Sequence, residues 1–272
     1  MTGPTRITGI DTHAHIFHPN APMAEGRRYS PAYEAALADW FAHQDAHGLS
    51  HGVLIQPSFF GTDNSLIEAA LTAFPDRLRG VAVIDPDIPD AELERLDSCG
   101  FVGARLNLVG RDIDDFGIAL WQDFFGRLSK FRWQVEIQRS FDDLAEVVPV
   151  IAASGVTVMI DHFGLPQGGI NPAIPAHRAF LDVLARTPSV WVKLSAPYRS
   201  AQTPEIAWQS FRLLREACGG TDRFVWGSDW PHTQHETATD YADQVARLHA
   251  LVPDAAERDR ILVANPAKLF RF

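Results

Sequence analysis

The sequence predicts an α/β protein folded as one (β/α)8 (TIM) barrel, a single domain spanning residues 1–272. Two observations lead there. Eight short apolar, β-branched runs alternate with longer segments of helical periodicity. Parallel neighbours need crossover helices, and eight such units close a barrel. The competing open, doubly wound sheet usually carries a phosphate-cradling loop after its first strand, yet neither GxGxxG nor GxxxxGK[ST] occurs. A length of 272 residues suits one such barrel, typically about 250 residues long.

The expected strands are Ile7–His13, Gly52–Gln56, Gly80–Ile84, Gly103–Leu108, Gln134–Gln138, Thr157–Asp161, Val190–Ser195 and Phe224–Gly227. Helical spacing follows in Ala32–His47, Asn64–Phe74 after the N-cap candidate Asp63, Asp90–Leu96 after Pro89, Phe116–Ser129, Phe141–Ala153, Ala176–Arg186, Pro204–Cys218, Ala238–Leu251 and Ala255–Phe270. The turn-rich stretch Leu165–Pro175 reads as a long loop at the barrel mouth.

Charge narrows the partners. A formal net charge of −10 repels nucleic acid and anionic membranes, and the short basic pairs Arg27-Arg28 and Lys130–Arg132 make no binding patch. The most apolar stretch, Val147–Ile160, is too short to span a bilayer and is broken by Pro149, Ser154 and Gly155. Met1–Gly9 lacks the apolar centre of a signal peptide, so a soluble cytoplasmic protein is expected. Cys99 and Cys218 form no ligand-spaced cluster and read as reduced structural thiols. The oligomeric state is left open.

Chemistry-bearing residues gather where strands end. In Asp11-Thr12-His13-Ala14-His15 the two histidines, spaced i and i+2, face the same side of an extended backbone. Asp229, in Gly227-Ser228-Asp229-Trp230-Pro231-His232, ends the eighth strand, where a base belongs; His232 stands behind it. His162 ends the sixth strand in Asp161-His162-Phe163-Gly164. Barrel active sites sit on that face, so His13, His15, His162 and Asp229 are the expected catalytic set.

Asp-x-His-x-His, Ile-Asp-His162-x-Gly and Trp-Gly-Ser-Asp229-Trp-Pro-His together resemble the second amidohydrolase family of the amidohydrolase superfamily. The resemblance runs to the closing segment Ile261–Phe270 and is nearest the 2-pyrone-4,6-dicarboxylate lactonase-like group. Gly103-Ala-Arg105-Leu-Asn107 resembles that group's strand-four arginine motif, and Gln56-Pro-Ser58 its strand-two motif. Arg111 matches a second arginine, Arg199 a third after strand seven. The resemblance implies that Arg105, Arg111 and Arg199 hold substrate carboxylates, with Ser58 and Asn107 as polar contacts; guanidinium forks suit that task.

Many members of the family bind a divalent ion through the paired histidines, a lysine or histidine near strand four or five, and the strand-eight aspartate. This chain has Arg105 and Asn107 on strand four and Gln138-Arg139 at the end of strand five. No cofactor is therefore the expectation, with one zinc on His13, His15 and Asp229 as the alternative. The expected reaction opens a small anionic lactone: the histidines polarise the carbonyl and Asp229 activates water. The rivals are a metal-dependent decarboxylase or hydratase, a sugar-lactone hydrolase, and a non-catalytic anion-binding barrel. No GxSxG elbow occurs, which argues against a serine nucleophile.

Overall fold

A computed structural model describes residues 6–27 and 29–272. Arg28 of the basic pair and the first five residues lie outside them. Eight strands form one parallel sheet in sequence order: β1 Ile10–Ala14, β2 His51–Ile55, β3 Leu78–Ala82, β4 Phe101–Asn107, β5 Gln134–Gln138, β6 Thr157–Ile160, β7 Val190–Leu194 and β8 Phe224–Trp226. Around them run α1 Leu37–Ala46, α2 Ser65–Ala73, α3 Asp90–Cys99, α4 Ala119–Lys130, α5 Leu144–Ala152, α6 Pro175–Arg186, α7 Pro204–Cys218 and α8 Tyr241–Leu251, then two short helices, α9 Ala255–Asp259 and α10 Asn265–Leu269. The (β/α)8 barrel expected from the alternation is the fold.

The ring closes just beyond β8. His15 N donates to Trp230 O at 2.8 Å and Asp229 N to His13 O at 2.8 Å, and Ala14 and Trp230 form a parallel bridge. The chains approach so closely here that a Cβ on Gly227 would lie 2.5 Å from His13 Cβ, which only glycine avoids.

Helix boundaries differ from the periodicity where a local bond intervenes. Phe17 and Ala35 exchange backbone hydrogen bonds in an antiparallel bridge, so α1 begins at Leu37 rather than Ala32. Asp63 does not cap α2 from the N-cap position, which Asn64 holds; its Oδ1 instead accepts from Ser65 N at 3.1 Å. Asp240 and Asp243 form a reciprocal capping box that sets the start of α8 at Tyr241. The single expected helix Ala255–Phe270 is split by a π turn, Arg260–Ala264, which ends two residues before Pro266. Widening the turn accommodates a residue that has no N–H to donate.

Two apolar layers surround the strands. The larger lies between sheet and helices; the smaller, with Ile10, Val53, Val81, Val102, Met159 and Val225, fills the lower barrel and is plugged by Phe270. The plug leaves only the upper barrel for polar side chains. Among the described residues no helix is long and apolar enough to cross a membrane. Cys99 and Cys218 carry free, partly buried thiols.

Candidate active site

Above the apolar plug lies a layer of buried charge. Alternation along β4, β5 and β7 turns Arg105, Glu136 and Lys193 inward, and Asp161 follows β6. Arg105 and Glu136 are register partners across β4 and β5. Lys193 Nζ lies 2.6 Å from Glu136 Oε2, 3.2 Å from Asp161 Oδ1 and 3.0 Å from His13 Nδ1. Arg105 donates to Gln138 Oε1 at 2.7 Å and to the Gln56 carbonyl at 3.3 Å, and its Nη2 stands 3.5 Å from Asp161 Oδ2. With Arg199 and Asp229 above, three cations offset three carboxylates, as buried charge requires.

Over this layer opens a cavity of about 400 Å³ at the C-terminal ends of the strands. His15, His162, Asp229, Arg105, Arg199, Ser58 and Asn107 line it, so the structure brings together seven of the nine side chains expected from sequence. His13 sits directly beneath, its ring 4.9 Å from that of His15 and 4.7 Å from that of His162. Arg111 is the exception. It is exposed and does not line the cavity, because its loop turns outward after Leu108; Arg139 Nη1 clamps that turn through the carbonyls of Leu108 and Arg111. The walls between the charges carry amides, among them Gln138, Gln167 and Gln234. A larger apolar groove, about 720 Å³, lies between α7 and α8 beside Trp208, but it holds none of the histidines or Asp229.

Asp229 uses its two oxygens differently. Oδ2 accepts from Arg199 Nε at 2.6 Å and from Tyr198 Oη at 2.5 Å. Oδ1 has no hydrogen-bond partner among the described residues and faces His13 Nε2 at 3.7 Å and His15 Nε2 at 3.9 Å. Burial opposes ionisation of this carboxyl, but Arg199, followed by the three histidines, outweighs it and holds the group well below the usual carboxylate range. The histidines move the opposite way to their ordinary value of about 6.5. Burial, reinforced by Arg105, pushes His15 down to about 3; burial brings His162 down to about 4. Burial and then Lys193 hold His13 well below its ordinary range. At neutral pH an ionised carboxylate therefore stands among neutral imidazoles.

Both Asp229 and His162 leave their strands with positive φ, 61° and 52°. Left-handed backbone at non-glycine residues costs on the order of 1–3 kcal/mol and clusters at functional sites. Ser195 Oγ meets His162 Nδ1 at 2.8 Å, and Tyr198 Oη meets the buried His232 at 3.2 Å. Sequence reasoning missed Lys193 and Glu136. The signal was available as alternate-position polarity, in Gln134, Glu136, Gln138 on β5 and in Lys193 on β7 with Ser195 just beyond its end.

Two sets of side chains place ligand atoms within 4.8 Å of one another, His13 with His15 and Asp229, and His13 with Asp161 and His162. Both include His13, whose Nδ1 faces the Lys193 ammonium, and the first includes an Asp229 already held by Arg199 and Tyr198. A divalent ion fits poorly beside the Lys193 and Arg199 cations, and metal-bound histidines normally donate from the other nitrogen to an acceptor.

The chain is 30% identical over 276 residues to a 2-pyrone-4,6-dicarboxylate hydrolase of Comamonas testosteroni, covering 96% of this chain and 89% of the relative. It is likewise 30% identical to a 4-sulfomuconolactone hydrolase of Rhizobium radiobacter, with the same coverage. The crystal structure of a probable 2-pyrone-4,6-dicarboxylic acid hydrolase from Acinetobacter baumannii with citric acid bound superposes with a TM-score of 0.92 at 37% identity, covering 97% of this chain and 99% of that one. The amidohydrolase family model matches residues 10–272, and the chain belongs to that family.

Proposed function

We propose that the protein is a hydrolase that opens a small carboxylated lactone, of the 2-pyrone-4,6-dicarboxylate type, by attack of water on the ring carbonyl. The observation that carries this reading is the free Oδ1 of an ionised Asp229 at the cavity floor, facing two imidazoles, with Arg105 and Arg199 in the wall. A water beside Oδ1 loses its proton to it as it attacks; the imidazole side stabilises the oxygen that gathers charge. Asp229 returns the proton to the departing ring oxygen. Arg105 and the rim amides hold the substrate's carboxylate and orient the ring. The related lactone hydrolases of Comamonas and Rhizobium support the reaction class.

The reaction is proposed to run without a metal, since the histidine pair already has a lysine where a ligand's hydrogen-bond acceptor belongs. The amide-rich wall favours one second reading, a hydroxylated sugar lactone. The test is loss of pyrone absorbance when metal-assayed protein meets 2-pyrone-4,6-dicarboxylate, with and without a chelator. Loss in both is expected. Loss only without chelator overturns the metal-free reading and returns His13, His15 and Asp229 to ligand roles. No loss in either overturns the substrate and moves the search to sugar lactones; tight binding without product would instead mark a non-catalytic barrel.

A further inference from the structure

We propose that Lys193 is a positioning residue that fixes the tautomer of His13, so that His13 donates, and its neighbour His15 accepts, a hydrogen bond at the cavity floor. Lys193 lies in β7 with its side chain fully buried, and its Nζ meets Glu136 Oε2, Asp161 Oδ1 and His13 Nδ1 at 2.6, 3.2 and 3.0 Å. An ammonium has three N–H donors and no lone pair, so in each of these contacts it can only donate. The bond to His13 therefore runs from Nζ to Nδ1. A neutral imidazole that accepts at Nδ1 carries its proton at Nε2.

His15 is set the other way. Its Nδ1 is 2.8 Å from the Ile55 carbonyl, which can only accept, so Nδ1 carries the proton and Nε2 is a bare lone pair. The two rings stand at 90° with both Nε2 atoms toward Asp229 Oδ1. One imidazole thus offers a donor and the other an acceptor. This changes the expectation that all the histidines donate to the carbonyl: His13 suits the carbonyl oxygen, while His15 and Asp229 suit the two hydrogens of a water.

Without the lysine the arrangement inverts. His13 Nδ1 lies 3.4 Å from both Glu136 Oε1 and Asp161 Oδ1, carboxylate oxygens with no hydrogen-bond partner among the described residues. The proton then moves to Nδ1, and two bare nitrogens and a carboxylate oxygen face the carbonyl. The consequence for rate rests on the lactonase reading; the tautomer does not.

The experiment is long-range 15N–1H spectroscopy of the intact protein labelled at histidine nitrogens, with His13 assigned by comparison with His13→Gln. In the unaltered protein at pH 7, His13 is expected protonated at Nε2 and His15 at Nδ1. A His13 protonated at Nδ1 overturns the proposal whatever the substrate proves to be. In Lys193→Met the His13 pattern is expected to exchange, kcat to fall about 100-fold and KM to change less than threefold. A folded variant that keeps Nε2–H, or that loses binding rather than turnover, also overturns it. Lys193→Met leaves two carboxylates facing each other, so Lys193→Met with Glu136→Gln is measured beside it; retained Nε2–H in the folded double variant overturns the proposal in the same way.

Discussion

Tyr198 Oη stands 2.5 Å from Asp229 Oδ2, the same oxygen that Arg199 Nε reaches at 2.6 Å, so both donors fall on one side of the carboxylate. The pair orients Asp229 and stabilises its charged form while leaving Oδ1 to act. Burial and then Asp229 raise the Tyr198 hydroxyl well above its ordinary range, which keeps it a donor. Tyr198→Phe removes one donor from an ionised group, so the carboxyl titrates at higher pH and the acid limb of the pH–rate profile moves upward. At pH 7 kcat should fall about ten- to a hundredfold, the worth of a hydrogen bond to a charged group. An unmoved limb with unchanged kcat contradicts this role.

Asp229→Asn tests the base itself. The amide keeps the shape but cannot take a proton, and kcat is expected to drop about 10²–10⁴-fold. Circular dichroism should show the barrel intact. A variant that keeps most of its turnover removes Asp229 from the mechanism.

Stability should decline with acid. His15 titrates near 3 and His162 near 4 in the folded protein, against about 6.5 unfolded. Below pH 6.5 the unfolded chain takes up protons that the native imidazoles refuse, so stability is full above that pH and is lost as pH falls through 6.5 toward 4. Each histidine removes about 3 kcal/mol by pH 4. Urea unfolding at pH 7, 5.5 and 4 measures the loss; equal midpoints at all three would show that these rings are not buried and neutral.

Substrate contacts should separate by burial. Arg105 is buried in the cavity wall, whereas Ser58 is exposed at its edge. Arg105→Gln is expected to raise KM about 30-fold or more, the loss of a charge-assisted contact of 2 kcal/mol upward. Ser58→Ala should raise it about fivefold, one neutral hydrogen bond. Saturation curves for both variants decide it, and equal effects would contradict the order.

Gly227→Ala checks the close approach of β8 to β1. Its Cβ would sit 2.5 Å from His13 Cβ and 2.8 Å from His13 N, and overpacking of this kind costs about 1–3 kcal/mol. Thermal unfolding should show that loss together with reduced turnover; a variant as stable and active as the parent would mean the strands separate freely.

Much of the barrel could be read in the sequence because strands buried on both faces are β-branched, and each observed strand lies within three residues of its expected start. His13, His15, His162 and Asp229 were legible because they end strands in short motifs. Lys193 and Glu136 were not. Buried Lys and Glu are rare unless paired, and pairing between β5 and β7 is a property of the closed ring that no local window contains. Asp11 departs from simple alternation. Simple alternation would turn it inward with His13 and His15, but a register shift in β1 sends its carboxylate outward to Ser228, Trp40 Nε1 and Tyr241.

The bonds that shut the ring, Asp229 N to His13 O and His15 N to Trp230 O, tie together His13, His15 and Asp229 of the site itself. Seven strand pairs hold the rest of the sheet by backbone ladders; the eighth join has these two backbone bonds and the side-chain bonds of Thr12 to Trp226 O and of Ser228 to Asp11. Local opening of low-stability regions precedes global unfolding. Warmed protein should therefore fall silent while still looking native: an ageing sample would keep its helical spectrum and its apolar plug long after the imidazoles and the carboxylate had drifted out of register.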